Sequence, residues 1–196
     1  MRIICLDLEG VLVPEIWQNV AARTGIDELN LTTRDIPDYH ELMGKRLQIL
    51  DDHGITLGAI QEVIGAMEPL PGAREFLDDL RSVTQVVLLS DTFQQFAGPL
   101  MKQLGWPTLL CNALEVANDR ITGYRLRQEN GKYHAVRAFQ SMALEVYAAG
   151  DSWNDLAMIL EADRGAFFTP PQSITDAHPE VPVCMDYETL YRFAVG

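Results

Sequence analysis

Short, almost continuous apolar runs recur along the chain and predict buried strands. The runs cover residues 3–6, 85–90, 145–150 and 165–169. Runs of this length without polar alternation are typical of strands that are covered on both faces, as in a parallel sheet. The first three runs end at, or are followed by, polar or acidic residues. The pattern therefore places polar groups at the ends of these predicted strands.

Between the predicted strands, apolar residues recur at helical spacing. The segments with this spacing are residues 76–83, 93–104, 136–143 and 156–160. Pro99 predicts a kink or a break in the second of them. Because strands alternate with helices, the sequence predicts an α/β fold with right-handed crossovers.

One long stretch interrupts this alternation. From residue 15 to residue 70 the pattern is helical and lacks a strong strand, and Pro and Gly residues at positions 69–72 end the stretch. We therefore expect residues 15–70 to form a helical cap, and residues 1–14 and 71–196 to form the core. A smaller feature lies at residues 113–128, where two alternating runs around Asn118-Asp119 predict a β-hairpin.

Length, composition and charge narrow the class of protein. The chain has 196 residues, of which 47% are hydrophobic, so it suits one domain or a core with a smaller insertion. No apolar run approaches the roughly 20 residues of a membrane span, and Asp7 and Glu9 interrupt the N-terminal apolar stretch. A cytoplasmic protein is expected. The net charge of −13 argues against nucleic acid and anionic membrane as partners.

The first candidate for chemistry is Asp7-Leu8-Glu9-Gly10, at the end of the first predicted strand. Catalytic groups of open α/β sheets gather at the carboxyl ends of strands. Alternation places Asp7 and Glu9 on the same side if the strand continues that far. Two close carboxylates repel each other unless a cation or a proton intervenes, so the pair suits a metal-bound nucleophile beside an acid/base group. The alternative is an ordinary acidic strand end.

Two further candidates carry phosphate-binding groups. Ser90 ends the second predicted strand, and Asp91 follows it; a hydroxyl and free N–H groups at a helix N-terminus would form a phosphate cradle there. Lys132 precedes a predicted helix and could bind phosphate as a point charge. The ordinary alternatives are a helix N-cap at residues 90–92 and a solvated surface lysine.

The densest candidate is the sequence GDSWND at residues 150–155, which follows an apolar strand and opens a helix. Asp151, Asn154 and Asp155 place three carboxylate or amide groups within five residues. Such oxygen groups at a strand end are typical of a site for a hard metal ion. Asp and Ser are also good helix caps, which is the alternative interpretation.

One arginine lies in an apolar stripe of the predicted cap. The stripe follows i, i+4, i+7, i+11 spacing and so lies on one helical face; it consists of Tyr39, Met43, Arg46 and Leu50. Burying an unpaired arginine is costly, so Arg46 needs an anionic partner, and a substrate carboxylate would serve. The alternatives are an internal ion pair and a side chain that reaches out to solvent.

The order of these pieces, D-x-E, Ser, Lys and G-D-S-x-N-D, resembles the four-motif set of the haloacid dehalogenase superfamily. The resemblance spans residues 1 to about 170 and implies a Rossmann-like parallel sheet core. Within the superfamily, the chain most resembles the phosphoserine phosphatase group, which has a helical cap inserted after its first motif. The resemblance also places Glu15 and Arg46 where that group holds the amino-acid end of phosphoserine.

Two departures from the group point to one of its branches. The chain has Glu9 where the group usually has aspartate, and it has Ser-Asp-Thr-Phe at residues 90–93 where the group usually has Ser-Gly-Gly-Phe. Both features resemble the phosphoserine:homoserine phosphotransferase branch, as do the chain length and the Asp-Leu-Glu-Gly start. The missing glycines put the shape of the phosphate loop in question.

The resemblance implies a Mg²⁺-dependent enzyme that works through an aspartyl-phosphate on Asp7. Asp7, the Glu9 backbone carbonyl and Asp151 would hold the metal, and Glu9 would act as general acid and base. Lys132 would stabilise the transferred phosphoryl group. The residues expected to bind substrate are Glu15, Arg46, Ser90, Asp91, Lys132 and Asn154. The expected small-molecule partners are phosphoserine and homoserine, and a homodimer is left open.

Two other functions stay open at this stage. One is a phosphatase of the same superfamily that acts on another small phosphomonoester. The other, from a different class, is a regulatory binding protein, because fold does not fix function. The presence of all four chemical groups argues against a binding protein, since such a protein has no need of a nucleophile.

Overall fold

A mostly parallel sheet of seven strands forms the centre of the protein. The computed structural model describes residues 1–32, 35–36 and 38–196. The strands are β1 (Arg2–Leu6), β2 (Gln85–Phe93), β3 (Thr108–Ala117), β4 (Arg120–Arg125), β5 (Glu145–Gly150), β6 (Arg164–Phe168) and β7 (Val183–Cys184). They lie in the order β4-β3-β2-β1-β5-β6-β7, and the β3–β4 pair is antiparallel. The predicted α/β class with a Rossmann-like parallel core is confirmed.

Helices connect the strands and cover the sheet. They are α1 (Ile16–Thr24), α2 (Tyr39–Asp52), α3 (Leu57–Gly65), α4 (Ala73–Val83), α5 (Gln94–Gln103), α6 (Gly131–Ser141), α7 (Leu156–Glu161), α8 (Gln172–Ala177) and α9 (Tyr187–Val195). Two 3₁₀ turns lie at Asp27–Asn30 and Trp153–Asp155. Among the described residues, no helix has both the length and the apolar composition needed to cross a bilayer.

Successive residues of the parallel strands point to opposite faces of the sheet. Ile4, Leu6 and Leu88 belong to a core cluster shared with α1, α3, α4, α5 and α9. Cys5 and Val87 belong to a second cluster shared with α6, α7 and α8. Because helices cover both faces, the strands are apolar on both sides, which explains their continuous apolar runs.

The direction of strand addition reverses beside β1. This strand pairs with β2 on one side and with β5 on the other. In open α/β sheets, ligands bind at such a switch point, outside the carboxyl ends of the strands. Asp7 follows β1, and its N–H donates to the Ala149 carbonyl of β5 at 3.0 Å. The acidic segments that follow β1 and β5 therefore begin side by side.

Residues 15–70, the predicted cap, contain α1, α2, α3 and the first 3₁₀ turn among their described residues. Three positions of this segment, Thr33, Arg34 and Pro37, lie outside the described residues. The helical character expected from the sequence is confirmed for the described part. The division of the chain into a core of residues 1–14 and 71–196 and a cap of residues 15–70 stays a prediction.

The hairpin formed by β3 and β4 contacts the helices of this segment. Its tip contains Asp119, whose carboxylate accepts a hydrogen bond from the Gly58 N–H at 3.0 Å. The Asp119 carbonyl accepts from the Leu57 N–H at 2.8 Å. The hairpin tip thus satisfies two N–H groups at the beginning of α3, which lack partners within the helix.

Most predicted elements are confirmed, and of the kink or break predicted at Pro99, the break is absent. The four predicted strands correspond to β1, β2, β5 and β6, and the four predicted helices correspond to α4–α7. Pro99 lies inside α5 without breaking it. Its missing N–H removes the helical partner of the Gln95 carbonyl, and that carbonyl accepts from Gln61 Nε2 of α3 at 2.8 Å. This bond compensates for the proline.

Candidate functional site

A cleft of about 180 Å³ lies beside the carboxyl ends of β1 and β5. Eight of the nine site residues expected from the sequence line it: Asp7, Glu9, Glu15, Arg46, Ser90, Asp91, Lys132 and Asn154. The ninth, Asp151, lies next to Asp7, because oxygen atoms of Asp7, Asp151 and Asp155 all lie within 4.8 Å of one another. The fold brings all nine residues to one place, although they are far apart in the sequence.

A buried charge network holds Asp7 at the base of the cleft. Lys132 Nζ lies 2.9 Å from Asp7 Oδ1 and donates to Asp155 Oδ1 at 2.7 Å. The Leu8 N–H donates to Asp7 Oδ1 at 2.7 Å. Burial lowers the pKa of Lys132, but the Asp155 and Asp7 carboxylates raise it by more, to well above its usual range. Lys132 is therefore a charged, fixed donor beside Asp7.

Asp155 organises the loop that follows β5. Its Oδ2 accepts from the backbone N–H groups of Asp151 at 3.0 Å and Ser152 at 3.1 Å. A Cβ atom at Gly150 would overlap the Asp155 carboxylate, so this glycine makes room for it. The sequence indicated Asp155 without a separate role. The glycine at the end of β5 was the available signal that a side chain packs against the backbone there.

The acidic cluster fits a hard divalent cation. Asp151 Oδ1 is buried and has no hydrogen-bond partner within the described part of the chain. Burial raises the pKa of Asp151 to about 7, and the Asp155 carboxylate adds to the rise. Burial and Asp155 also raise the pKa of Asp7 well above its usual range. A cation with oxygen ligands, such as Mg²⁺, would compensate this concentration of negative charge.

Gly10 shapes the cluster from the other side. It has a φ of +74°, and a Cβ atom at this position would overlap the Asp151 carboxylate. A side chain here would therefore displace Asp151 and also strain the backbone. Gly10 belongs to the Asp-Leu-Glu-Gly segment, whose pattern gave no sign of this role.

Glu9 lies in the cleft, and its carboxylate is hydrogen-bonded to the start of α1. Its Oε2 accepts a hydrogen bond from the Ile16 N–H at 2.9 Å. Burial raises the pKa of Glu9 to about 7, the Glu15 carboxylate adds to the rise, and the Ile16 N–H opposes it. A carboxyl group that exchanges its proton near neutral pH can act as general acid and general base. β1 ends at Leu6, so Glu9 reaches the cleft from a loop.

Residues 90–92 form a bulged part of β2, which we call the bulge. The expectation of a helix N-terminus at residues 90–92 was wrong, because β2 continues to Phe93 and α5 begins at Gln94. The pairing of β2 with β3 shifts register across the bulge. The Ser90 Oγ accepts from the Thr92 N–H at 3.1 Å. The polar groups that line the cleft here therefore come from a bulged strand, and neither the helix-terminal cradle nor the helix N-cap is present.

Asp91 connects three parts of the cleft. Its Oδ2 accepts from Asn154 Nδ2 at 2.9 Å and lies 3.8 Å from Lys132 Nζ. Its carbonyl accepts from the Tyr39 hydroxyl of α2 at 3.3 Å. The bulge is thus tied to the loop after β5 and to the predicted cap.

Arg46 lies on the buried face of α2, with 8% of its surface exposed. Its Nη2 donates to the Leu31 carbonyl at 2.8 Å, its Nη1 lies 3.8 Å from the Met43 sulfur, and its guanidinium carbon is 4.5 Å from the centre of a Trp17 ring. Its Nε has no hydrogen-bond partner in the residues that the structure describes. Burial lowers its pKa to about 10, so it stays charged at neutral pH. Its hydrogen-bond acceptors in this part of the chain are not anionic, so the internal ion pair is not observed there.

Several cleft residues were not predicted as site residues: Trp17, Gln18, Thr32, Tyr39, Leu42, Thr92, Ser152 and Trp153. The helical spacing of α2 could have indicated Tyr39 and Leu42, because they share the face that carries Arg46. Trp17 follows Glu15 closely in the sequence, but nothing in the pattern indicated that its ring would stack on the guanidinium.

Comparison with known proteins gives a family match and two close relatives. The model of the haloacid dehalogenase-like hydrolase family matches residues 52–160. "Phosphoserine phosphatase ThrH" of Pseudomonas aeruginosa is 56% identical over 98% of this chain and 94% of that protein. "Phosphoserine phosphatase" of Pseudomonas syringae pv. tomato is 52% identical over 98% of this chain and 81% of that protein.

Solved structures share the fold at lower identity. A phosphoserine phosphatase from T. onnurineus superposes with a TM-score of 0.78 at 24% identity, covering 98% of this chain and 94% of that one. A structure described as a phospho-aspartyl intermediate analogue of phosphoserine phosphatase gives a TM-score of 0.79 at 19% identity, covering 98% of each chain. At these identities, the likeness concerns the fold.

Proposed function

The chain belongs to the haloacid dehalogenase-like hydrolase family, and from this premise we propose that it is a Mg²⁺-dependent phosphoserine phosphatase that forms an aspartyl-phosphate on Asp7. The family assignment made from the four motifs is confirmed, and the chain is an enzyme of this family. The observation that carries the proposed mechanism is the buried Asp7 carboxylate, fixed 2.9 Å from Lys132 Nζ at the base of the cleft.

In the first step, an Asp7 carboxylate oxygen attacks the phosphorus of phosphoserine, and the bond from phosphorus to the serine oxygen breaks. Glu9 gives its proton to the departing serine oxygen, in keeping with its raised pKa of about 7. Lys132 and the Ser90 hydroxyl contact the phosphoryl oxygens, where charge develops. The covalent intermediate divides one difficult substitution into two easier ones.

In the second step, an acceptor hydroxyl attacks the same phosphorus, and the Asp7–phosphorus bond breaks to restore the carboxylate. Glu9, now ionised, removes the proton from the acceptor. Asn154 and Asp91 hold each other beside Lys132, so we assign them to the positioning of the phosphoryl group. The two steps return Asp7 and Glu9 to their starting states.

We assign the metal site to Asp7, Asp151 and the Glu9 backbone carbonyl. Both Asp155 oxygens already accept hydrogen bonds from Lys132 and the loop after β5, which favours a role in orienting the site over direct coordination. When bound, Mg²⁺ would neutralise part of the charge on the carboxylates and the phosphoryl oxygens.

Phosphoserine as substrate is supported by two independent features. Proteins 56% and 52% identical to this chain are called phosphoserine phosphatases. The cleft also holds a charged Arg46 whose Nε has no partner among the described residues, together with the Glu15 side chain. In our proposal Arg46 binds the substrate carboxylate and Glu15 binds its ammonium group.

We also propose that homoserine can replace water as the acceptor. Homoserine is serine with one additional methylene, so Arg46 and Glu15 can hold it where the departed serine was bound. Its hydroxyl then lies near the phosphorus at a high effective concentration. The cytoplasmic location and the homodimer stay predictions. A phosphatase for another small phosphomonoester and a non-catalytic binding protein are the alternatives.

One experiment separates these functions. The protein is incubated with Mg²⁺, phosphoserine and increasing homoserine, and the products are followed by phosphorus NMR, with p-nitrophenyl phosphate as a substrate that lacks a carboxylate. We expect inorganic phosphate and a share of phosphohomoserine that rises with homoserine. Inorganic phosphate alone at saturating homoserine would remove the transferase activity. Turnover of other esters but not phosphoserine would favour the other phosphatase, and no turnover would favour a binding protein.

A further inference from the structure

Asn112 is a buried amide whose two ends bind two different segments beside the cleft. Only 7% of its surface is exposed. Its Nδ2 donates to the Asp91 carbonyl at 3.0 Å, and its Oδ1 accepts from the Arg127 N–H at 2.9 Å. With its donor and its acceptor both engaged, a buried amide has a defined orientation. The four-motif pattern gave no sign of this residue.

The first end of Asn112 secures the bulge of β2. Regular pairing with β3 extends to Leu89–Leu110 and resumes at Phe93–Asn112, so three residues of β2 oppose one residue of β3. A bulge interrupts the ladder of backbone hydrogen bonds. The Asn112 side chain supplies a bond at this interruption, to the carbonyl of the middle residue of the bulge. The bulge carries the Ser90 hydroxyl and the Asp91 carboxylate into the cleft.

The second end of Asn112 leads to Lys132. Arg127 lies in the connection between β4 and α6. Its backbone N–H binds Asn112, and its Nη2 donates to the Gly131 carbonyl at 2.9 Å. Gly131 begins α6 and directly precedes Lys132. The Asn112 side chain is therefore hydrogen-bonded both to the segment that carries Ser90 and to the segment that leads to Lys132.

We propose that Asn112 is a positioning residue that fixes the bulge relative to the Lys132 segment, so that Ser90 and Lys132 contact the same phosphoryl group. The inference rests on the proposed function for the identity of the bound group. Asn112 lines a neighbouring cavity that shares Asp91 and Lys132 with the cleft, but it does not line the cleft itself. We therefore assign its effect to its bonds with the backbone of Asp91 and Arg127. Replacement of Asn112 should weaken the binding of every ligand that carries a phosphoryl group by the same factor, and it should leave recognition of the substrate carboxylate unchanged.

The test compares two variants with a matched control. Asn112→Leu has a similar size but forms neither hydrogen bond. Asn112→Asp keeps an acceptor for the Arg127 N–H and removes the donor that faces the Asp91 carbonyl. The control is Gln95→Leu. The Gln95 amide also makes two bonds to β3, to the carbonyl of Leu114 at 2.8 Å and from its N–H at 2.9 Å, but these bonds do not involve the bulge.

The main readout is the affinity for orthovanadate and inorganic phosphate in the presence of Mg²⁺, measured from the ligand-induced shift of the thermal unfolding midpoint. Both Asn112 variants should bind these anions about tenfold more weakly or worse, as expected for the loss of a buried hydrogen bond that holds a binding group. Gln95→Leu should bind them as the wild type does. The ratio of kcat/KM for phosphoserine to that for p-nitrophenyl phosphate should be the same in Asn112→Leu and the wild type.

Anion affinities that stay at the wild-type value in both Asn112 variants would overturn the proposal, and so would an equal loss in Gln95→Leu. A changed ratio of the two substrates would also overturn it, because the effect would then extend to the carboxylate side. If the wild type binds orthovanadate but does not hydrolyse phosphoserine, and the Asn112 variants still bind it more weakly, the proposed substrate fails while the role of Asn112 is supported.

Discussion

At the scale of residues, the surroundings of Asp7 contain more carboxylates than positive charges. Three carboxylates, those of Asp7, Asp151 and Asp155, cluster around one lysine, Lys132. Burial makes uncompensated charge costly, and the raised pKa of Asp151, about 7, has burial and the Asp155 carboxylate as its main causes. One positive charge cannot balance three ionised carboxylates. A bound divalent cation would compensate the remaining negative charge.

Gly10 provides a first test of this cluster. Gly10→Ala should abolish most Mg²⁺-dependent activity, because the new methyl group would overlap the Asp151 carboxylate. The control is Gly25→Ala. Gly25 has a similar φ of +71° but has no atoms within 4 Å of an added Cβ. Both variants should lose about 1 kcal/mol of stability from backbone strain. A Mg²⁺ titration of activity that is equally altered in both variants would contradict this account.

Arg46 tests the recognition of the substrate carboxylate. Arg46→Ala should weaken the binding of phosphoserine tenfold or more, since a lost charged hydrogen bond costs roughly 1.5–3 kcal/mol. Steady-state kinetics should show a large drop in kcat/KM for phosphoserine and a far smaller drop for p-nitrophenyl phosphate, which lacks a carboxylate. An equal loss with both substrates would mean that Arg46 only supports the packing of α2 against Trp17.

Single residues differ in how far the sequence could predict them. Asp7 and Lys132 could be predicted because strand ends and motif order indicate where they lie. Arg46 could be predicted because it interrupts an apolar stripe at helical spacing. Asn112 could not, because its contacts arise from the pairing between β2 and β3, and a single polar residue in a strand has no distinctive pattern.

At the scale of elements, the bulge of β2 lies where the sequence predicts a helix N-terminus. Ser, Asp and Thr at residues 90–92 are all good helix caps, so local propensity favoured a helix N-terminus there. In the folded chain, β3 lies beside this segment and pairs again at Phe93. The tertiary pairing extends the strand, and α5 begins only at Gln94. The short elements β7 and α8 were missed because their patterns are brief, and the nine-residue α9 was missed as well.

The contact between the β3–β4 hairpin and α3 gives a prediction at this scale. Asp119→Gly removes the acceptor of the Gly58 N–H, but glycine readily adopts the positive φ at this position, so the free energy of unfolding should fall by only about a few tenths of a kcal/mol. Amide hydrogen exchange should become faster at Gly58 and stay nearly constant at Ala59, whose N–H donates to Thr56 Oγ1. Asp119→Asn is the control, because it keeps an acceptor oxygen and tolerates the φ of 64° at this position. Unchanged exchange at Gly58 in Asp119→Gly would refute the contact.

For the whole molecule, the net charge of −13 and the acidic cluster around Asp7 both favour the binding of cations. A strongly acidic protein attracts cations and repels nucleic acid. The cluster concentrates part of that charge at the switch point beside β1. A bound divalent cation should therefore stabilise the entire fold, because it binds the native state and not the unfolded chain.

Thermal unfolding with and without Mg²⁺ measures this stabilisation. At a free Mg²⁺ concentration about a hundredfold above its Kd, the wild type should gain about 2.7 kcal/mol, which corresponds to several degrees in Tm for a chain of this size. Asp151→Asn should be at least as stable as the wild type without Mg²⁺, because one repelling charge is gone, and it should lose most of the Mg²⁺-induced shift. A full shift in Asp151→Asn would show that the stabilising ion binds elsewhere.

Covalent phosphorylation of Asp7 is the most direct test of the central claim. The enzyme is mixed with phosphoserine and Mg²⁺, quenched in acid during turnover, and digested for mass spectrometry. We expect a phosphoryl group on the peptide that contains Asp7, and we expect hydroxylamine to remove it. The Asp7→Asn variant should carry no phosphoryl group. It should also retain less than a tenth of the wild-type turnover, because an amide cannot replace a carboxylate nucleophile. An unlabelled Asp7 during steady turnover, together with an active Asp7→Asn variant, would contradict the aspartyl-phosphate mechanism.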